Sequence, residues 1–124
     1  MGRLQPEFLE RIERFGDRVL DVAEELTRKR VYRRLVDQIA ACGTSVGANV
    51  FEATEAMSRP DFCCVLGISL KELSEARYWL RLIGRRGWIG ASRLEPLEAE
   101  AVELVRIIGA MISNTREVDN DRAD

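Results

Sequence analysis

The sequence predicts an all-α protein, an up-down-up-down antiparallel four-helix bundle. Three observations carry this. Apolar residues recur at alternating steps of four and three through four long segments, the spacing of a helical seam. Strand-like alternation of β-branched residues is nearly absent, and the 124-residue chain holds only three prolines. The connections between segments are short, so successive helices must run antiparallel.

The first helix is expected over about 5–27. Pro6 suits its opening turn, where a missing N–H costs nothing. Phe8, Ile12, Phe15, Val19, Val22 and Leu26 form its seam. The second is expected over about 31–57, with Leu35, Ile39, Cys42, Val46, Val50, Ala53 and Met57 on the seam. Ser58 is a good N-cap for the third, over about 59–83, with Asp61 as its capping-box partner and Pro60 in the first turn. Phe62, Leu66, Ser69, Leu73, Ala76, Leu80 and Ile83 line that helix, and Gly84 ends it. After the loop GRRGWIGA, Ser92 and Glu95 form an S-x-x-E box for a fourth helix over about 93–115. Its core face is Leu94, Leu97, Ala101, Leu104, Ile108 and Met111. The domain thus spans 1–116, and EVDNDRAD, 117–124, reads as a flexible acidic tail.

One stretch resists this reading. CGTSVGANVFEATEA, from Cys42 to Ala56, places Gly43, Thr44, Ser45, Gly47 and Asn49 inside the second helix, and all are weak helix formers. Each glycine gives up roughly 1 kcal/mol against alanine. Gly43 and Gly47 lie one turn apart on one face, where small residues let two helix backbones approach closely. Asn49 and Glu52 fall on the adjacent stripe, where Glu72, Glu75 or Arg77 of the third helix are candidate hydrogen-bond partners; the alternative is that Glu52 and Glu55 are simply solvated. Apolar residues beyond the seams, Leu9, Leu20, Tyr32, Val36, Val65, Ile68, Trp79, Leu82, Val105 and Ile112 among them, predict a subunit interface. The alternative is that they only widen the core face.

Charge gives no bulk support for nucleic-acid or membrane binding: 19 Lys and Arg stand against 21 Asp and Glu, for a net charge of −2 and a pI near 5.4. No signal peptide or spanning segment is expected, and Glu7 breaks a myristoylation pattern after Met1-Gly2. The expectation is therefore a cytoplasmic protein. Cys42, Cys63 and Cys64 read as small buried apolar groups in a reducing compartment. With no histidine in the chain, zinc sites, the common general base and the E-x-x-H pairs of di-metal bundles are all lacking. No cofactor, metal or catalytic residue is expected, and the protein reads as no enzyme. The strongest charge feature is RKRVYRR: Arg28, Lys29, Arg30, Arg33 and Arg34 at the first turn, with Tyr32 between them. Arg85 and Arg86 sit at the third turn, which shares an end with the first in an up-down bundle. The two clusters predict one basic pole able to take phosphates, unless they only complement the helix macrodipole.

The strings CGTSVGANVFEA (42–53), SRPDF (58–62), SLKELSEARYWLRLI (69–83) and GWI (87–89) carry a resemblance. The chain resembles the four-helix-bundle proteins related to the 23S rRNA intervening-sequence protein, a group that includes the accessory variability protein of diversity-generating retroelements. The resemblance implies a homo-oligomer, typically a pentameric ring with a central channel, and for most members no assigned activity. For the retroelement branch it implies a basic protein that binds nucleic acid beside a reverse transcriptase. This chain departs from that branch, with Gln38-Ile39-Ala40-Ala41-Cys42 where relatives often carry an arginine, and with Gly67 at a site expected to be polar. The first reading is a self-assembling scaffold whose partner is itself. The second is an RNA- or DNA-binding accessory factor acting through the basic pole.

Overall fold

The computed structural model describes residues 4–123, with side chains through residue 121. Met1–Arg3, which the domain reading takes in, and Asp124 of the expected tail lie outside the described residues. Four helices follow one another: α1 (Pro6–Arg28), α2 (Arg33–Ala53), α3 (Arg59–Arg86) and α4 (Ala91–Ala123). Each packs against its sequence neighbours, α4 closes on α1, and no diagonal pair of helix backbones comes close among the described residues. That is the up-down-up-down bundle.

Most of the predicted seam residues form the core, but Val22, Leu35 and Met111 are only half-buried, while Val36, Val65 and Ile112 of the extra stripe are buried in the core and not free for an interface. Ile12, Phe15, Val19 and Leu26 of α1 meet Ile39, Cys42, Val46 and Val50 of α2, and Leu66, Leu73, Leu80 and Ile83 of α3 face Leu94, Leu104 and Ile108 of α4; all are buried. Ser69 is the one buried polar side chain of that core among the described residues, and its hydroxyl donates to the Val46 carbonyl at 2.9 Å. The polar group therefore ties α3 to α2 without an unmet partner.

The α1–α4 interface is the sparsest of the four. Two forked ion pairs bridge it. Arg11 reaches Glu100 with contacts of 2.7 and 3.1 Å, and Arg93 reaches Glu25 with contacts of 2.7 and 3.0 Å. Such paired N–H···O bonds fix geometry as well as adding attraction.

Both turns at the end shared by α1 and α3 are Schellman motifs. In the first, Arg30 N–H donates to Thr27 O and Val31 N–H to Leu26 O, each at 3.0 Å, with Arg30 at φ 58°. In the second, Gly87 N–H donates to Gly84 O at 3.1 Å and Trp88 N–H to Ile83 O at 3.2 Å, with Gly87 at φ 70°. The left-handed residue is a glycine in one and an arginine in the other. Gly84, expected as the stop, lies inside α3, and Gly87 is the residue that ends it.

Several expected boundaries move. α2 stops at Ala53, four residues before Met57. The chain tightens there through Glu55 N–H to Glu52 O and Ala56 N–H to Ala53 O, helped by Thr54 Oγ1 on Phe51 O. Met57, placed on the seam by its spacing, is consequently 89% exposed. The Ser58 cap is present, with Asp61 N–H on Ser58 Oγ at 3.1 Å, but the Asp61 carboxylate returns to Met57 N–H. α4 begins at Ala91, so Ser92 is inside the helix. It also continues through residues 117–123 instead of ending near 115. No Gly or Pro follows Gly109 to break it, and beyond Ile112 none of its described side chains is buried. Cys64 is exposed, not buried. Neighbouring helix positions point about 100° apart, so Cys63 alone of the pair faces the core.

Candidate functional site

The glycines of α2 answer to α1. A Cβ on Gly43 would stand 2.7 Å from Val19 Cβ, and one on Gly47 would stand 3.3 Å from Ile12 Cγ2. Gly16 faces them from α1, with its own Cβ position 3.8 Å from the Gly43 carbonyl. The two backbones therefore pass closely, and the cost of two mid-helix glycines is met by packing. The same lack of side chains leaves an open groove between α1 and α2. Gly16 and Gly47 floor it, Leu20 and Phe51 stand at its rims, and Glu13 and Asp17 edge it.

The polar residues beside the glycines do not reach α3. Asn49 Nδ2 donates to Ser45 O at 2.8 Å within α2, and Glu52 is exposed. Partners among Glu72, Glu75 and Arg77 are thus ruled out for Asn49, and for Glu52 and Glu55 the solvated alternative holds. Asn49 and Glu52 lie on the outer flank of α2, and a helix carbonyl one turn back satisfies the amide. Glu75 instead accepts from Trp79 Nε1 at 3.1 Å. Burial pushes up the pKa of the half-buried Glu72, and the Glu75 charge adds to this. Cys42 sits nearby in the core, its thiol pushed up to about 12 by burial first and by the Glu75 and Glu72 carboxylates second. A thiol so protonated is no nucleophile.

The two turns do meet at one end. Tyr32 and Trp88 are edge to face with ring centres 6.3 Å apart. The Arg86 guanidinium lies over the Trp88 ring at 5.5 Å. Lys29 is occupied: its ammonium donates to the Trp88 carbonyl and pairs with Glu25 at 3.1 Å. Arg93 donates to both oxygens of Glu25, sharing Oε2 with Lys29, and hydrogen bonds from Arg93 and Lys29 lower that carboxylate's pKa to about 2. Arg28, Arg30, Arg33, Arg34 and Arg85 are exposed, and none enters an ion pair among the described residues. Arg30 and Arg33 border a depression with Tyr32 and Asp37. Arg34 borders another, largely apolar, with Tyr32, Leu35, Gln38 and Trp79.

A further basic row escaped sequence reasoning. Arg77, Arg81 and Arg85 follow one another at steps of four along α3 and share a shallow depression with Ser74 and Tyr78. Tyr78 stands edge-on to Trp79 at 5.2 Å and is 54% exposed. The i, i+4 arginine spacing was the available signal. Among the described residues no group of three or more His, Cys, Asp or Glu side chains is placed to hold a metal ion, and no helix is long and apolar enough to cross a membrane.

The family of the 23S rRNA-intervening sequence protein matches residues 6–110, from the first turn of α1 into the second half of α4. A solved structure from Bacteroides thetaiotaomicron, a protein with unknown function from the S23 ribosomal protein family, is 31% identical to this chain with a TM-score of 0.81. That match covers 86% of this chain and 95% of the other. No curated protein matches. The glycine-floored groove and the arginine-rich end both fall inside the matched span, and the chain belongs to the 23S rRNA-intervening sequence protein family.

Proposed function

We propose that this protein is a self-assembling, non-catalytic interaction module, a homo-oligomer built from four-helix bundles, with five copies as the expected number. The observation that carries this is the open groove of α1 and α2, where Leu20 and Phe51 are 37% and 41% exposed beside a core that is already complete. Apolar side chains at the rim of a preformed groove favour a protein partner over solvent. Light scattering on a size-exclusion column tests it. The expected mass is five times the 14.1 kDa of the chain. A mass of one chain at micromolar concentration overturns the proposal.

A second reading is favoured by the uncommitted arginines around Tyr32 and Trp88: the basic end holds RNA or DNA, as an accessory to a reverse transcriptase. Guanidinium groups supply phosphate contacts and aromatic faces supply stacking. Assembly would multiply the cluster at one rim. Structured RNA titrated over a salt series should then show an affinity that falls steeply with log salt and that weakens in Arg33→Ala/Arg34→Ala. Undetectable binding at low salt removes this reading.

A further inference from the structure

The bundle carries two charge-complementary faces on different sides. α1 and α3 are diagonal partners whose backbones do not approach each other among the described residues. On α1, Glu13 and Asp17 edge the groove floored by Gly16 and Gly47. On α3, Arg77 and Arg81 share a shallow depression with Tyr78, which is 54% exposed and stands edge-on to Trp79. All four charged residues are exposed, and none is paired within the chain among the described residues.

The registers match. Glu13 and Asp17 are one helical step of four apart, and so are Arg77 and Arg81, which sets both pairs about 6 Å apart along their helices. Beside the acidic pair lies Gly16, a gap, and beside the basic pair lies Tyr78, a ring. A ring entering the gap brings each guanidinium alongside a carboxylate. A tyrosine beside arginines is also the residue set that dominates well-packed protein interfaces.

From this geometry we infer that the groove of one copy receives Tyr78 of a second copy, with Arg77 and Arg81 of that copy against Glu13 and Asp17 of the first. This rests on the self-assembly proposed above and names its surface. The contact is heterologous: each copy offers one face and receives on the other. Copies so joined continue head to tail until the rotation per contact closes a ring.

Charge reversal tests the pairing. Glu13→Arg/Asp17→Arg and Arg77→Glu/Arg81→Glu are each expected to reduce the wild-type oligomer to the 14.1 kDa chain, with unchanged far-UV circular dichroism. The fourfold variant carrying both reversals restores complementarity and is expected to regain the wild-type mass. Tyr78→Ala lowers the mass with no change of charge. The wild-type assembly also loosens between about 0.15 M and 1 M salt, as screening shortens from about 8 to about 3 Å. A wild-type oligomer whose mass survives either reversal overturns the pairing and leaves self-assembly standing. Failure of the fourfold variant to reassemble overturns it too. A monomeric wild type removes both proposals. If a reversal variant does not fold, the salt series and Tyr78→Ala decide: a mass unchanged in both sinks the inference.

Discussion

Val19 and Gly43 touch so closely that a methyl group on the glycine would stand 2.7 Å from the valine Cβ. The obstacle is a branch point next to backbone, not the swinging end of a long side chain. Gly43→Ala is therefore expected to force α1 and α2 apart. Overpacking costs about 1–3 kcal/mol, helix propensity returns about 1 kcal/mol, and a net loss of up to about 2 kcal/mol is the expected outcome. Gly67 on α3 has nothing within 4 Å of its Cβ position, so Gly67→Ala should gain about 0.5–1 kcal/mol. Gly47→Leu should also destabilise, by overpacking against the buried Ile12 methyl. Urea unfolding at one protein concentration separates these variants. Equal midpoints for Gly43→Ala and Gly67→Ala contradict the close-approach account.

Arg30 is the only non-glycine residue with positive φ among those described, at 58°. Its turn has the same hydrogen-bond pattern as the turn closed by Gly87. The left-handed region costs an L-residue roughly 1–2 kcal/mol, part of which glycine gives back as unfolded-chain entropy. Arg30→Gly should therefore stabilise by about 0.5–1 kcal/mol. If the basic end binds RNA, the same variant should bind more weakly while melting higher. A variant that melts lower shows that the arginine makes contacts worth more than its backbone strain.

The seams were legible because each residue of a 4,3 row must enter the core or leave it empty: Ile12, Leu73 and Leu104 had no other place. The glycine pair was legible as close packing, since nothing else compensates two such residues inside one helix. Its partner was not, because the spacing shows which face is bare and not which helix covers it. Asn49 was misplaced because the 3.6-residue period resolves a stripe but not whether its amide turns sideways or back onto its own carbonyls. Met57 fitted the period too, yet the helix had already ended, since Thr54 carries no strong stop signal. The Arg77–Arg81 row was present as text and became a surface only when α3 showed which side stayed uncovered.

Glu25 anchors the end of the α1–α4 seam between Lys29 and Arg93. Its carboxylate titrates at about 2 in the fold against an ordinary 4.5. The folded pKa is depressed, so its contribution to stability is full above about pH 4.5 and is lost as pH falls towards 2. A carboxyl ¹³C titration should show Glu25 turning over near 2, well below the ordinary 4.5 of a glutamate. Arg93→Gln should move that midpoint upward, because it removes the largest of the lowering contacts. A Glu25 midpoint among those of the surface glutamates contradicts the clamp.

The three cysteines differ in reach. Cys64 is exposed on α3, Cys63 is buried with its thiol directed to the Ile112 carbonyl at 3.8 Å, and Cys42 is buried beneath α3. Raising the Cys42 thiol from 9.0 to about 12 removes about a thousandfold of its thiolate at a fixed pH near 8, and the thiolate is the reacting species. Native protein treated with iodoacetamide at pH 8 should therefore gain one adduct, on Cys64, and three adducts in denaturant. Peptide mass spectrometry reads both the count and the site. Rapid native labelling at Cys42 shows that α2 and α3 open at that level. Ser69→Ala, which deletes the 2.9 Å bond to Val46 one turn along and costs about 1 kcal/mol, should speed Cys42 labelling if its exposure comes from this opening. It should leave Cys64 labelling unchanged.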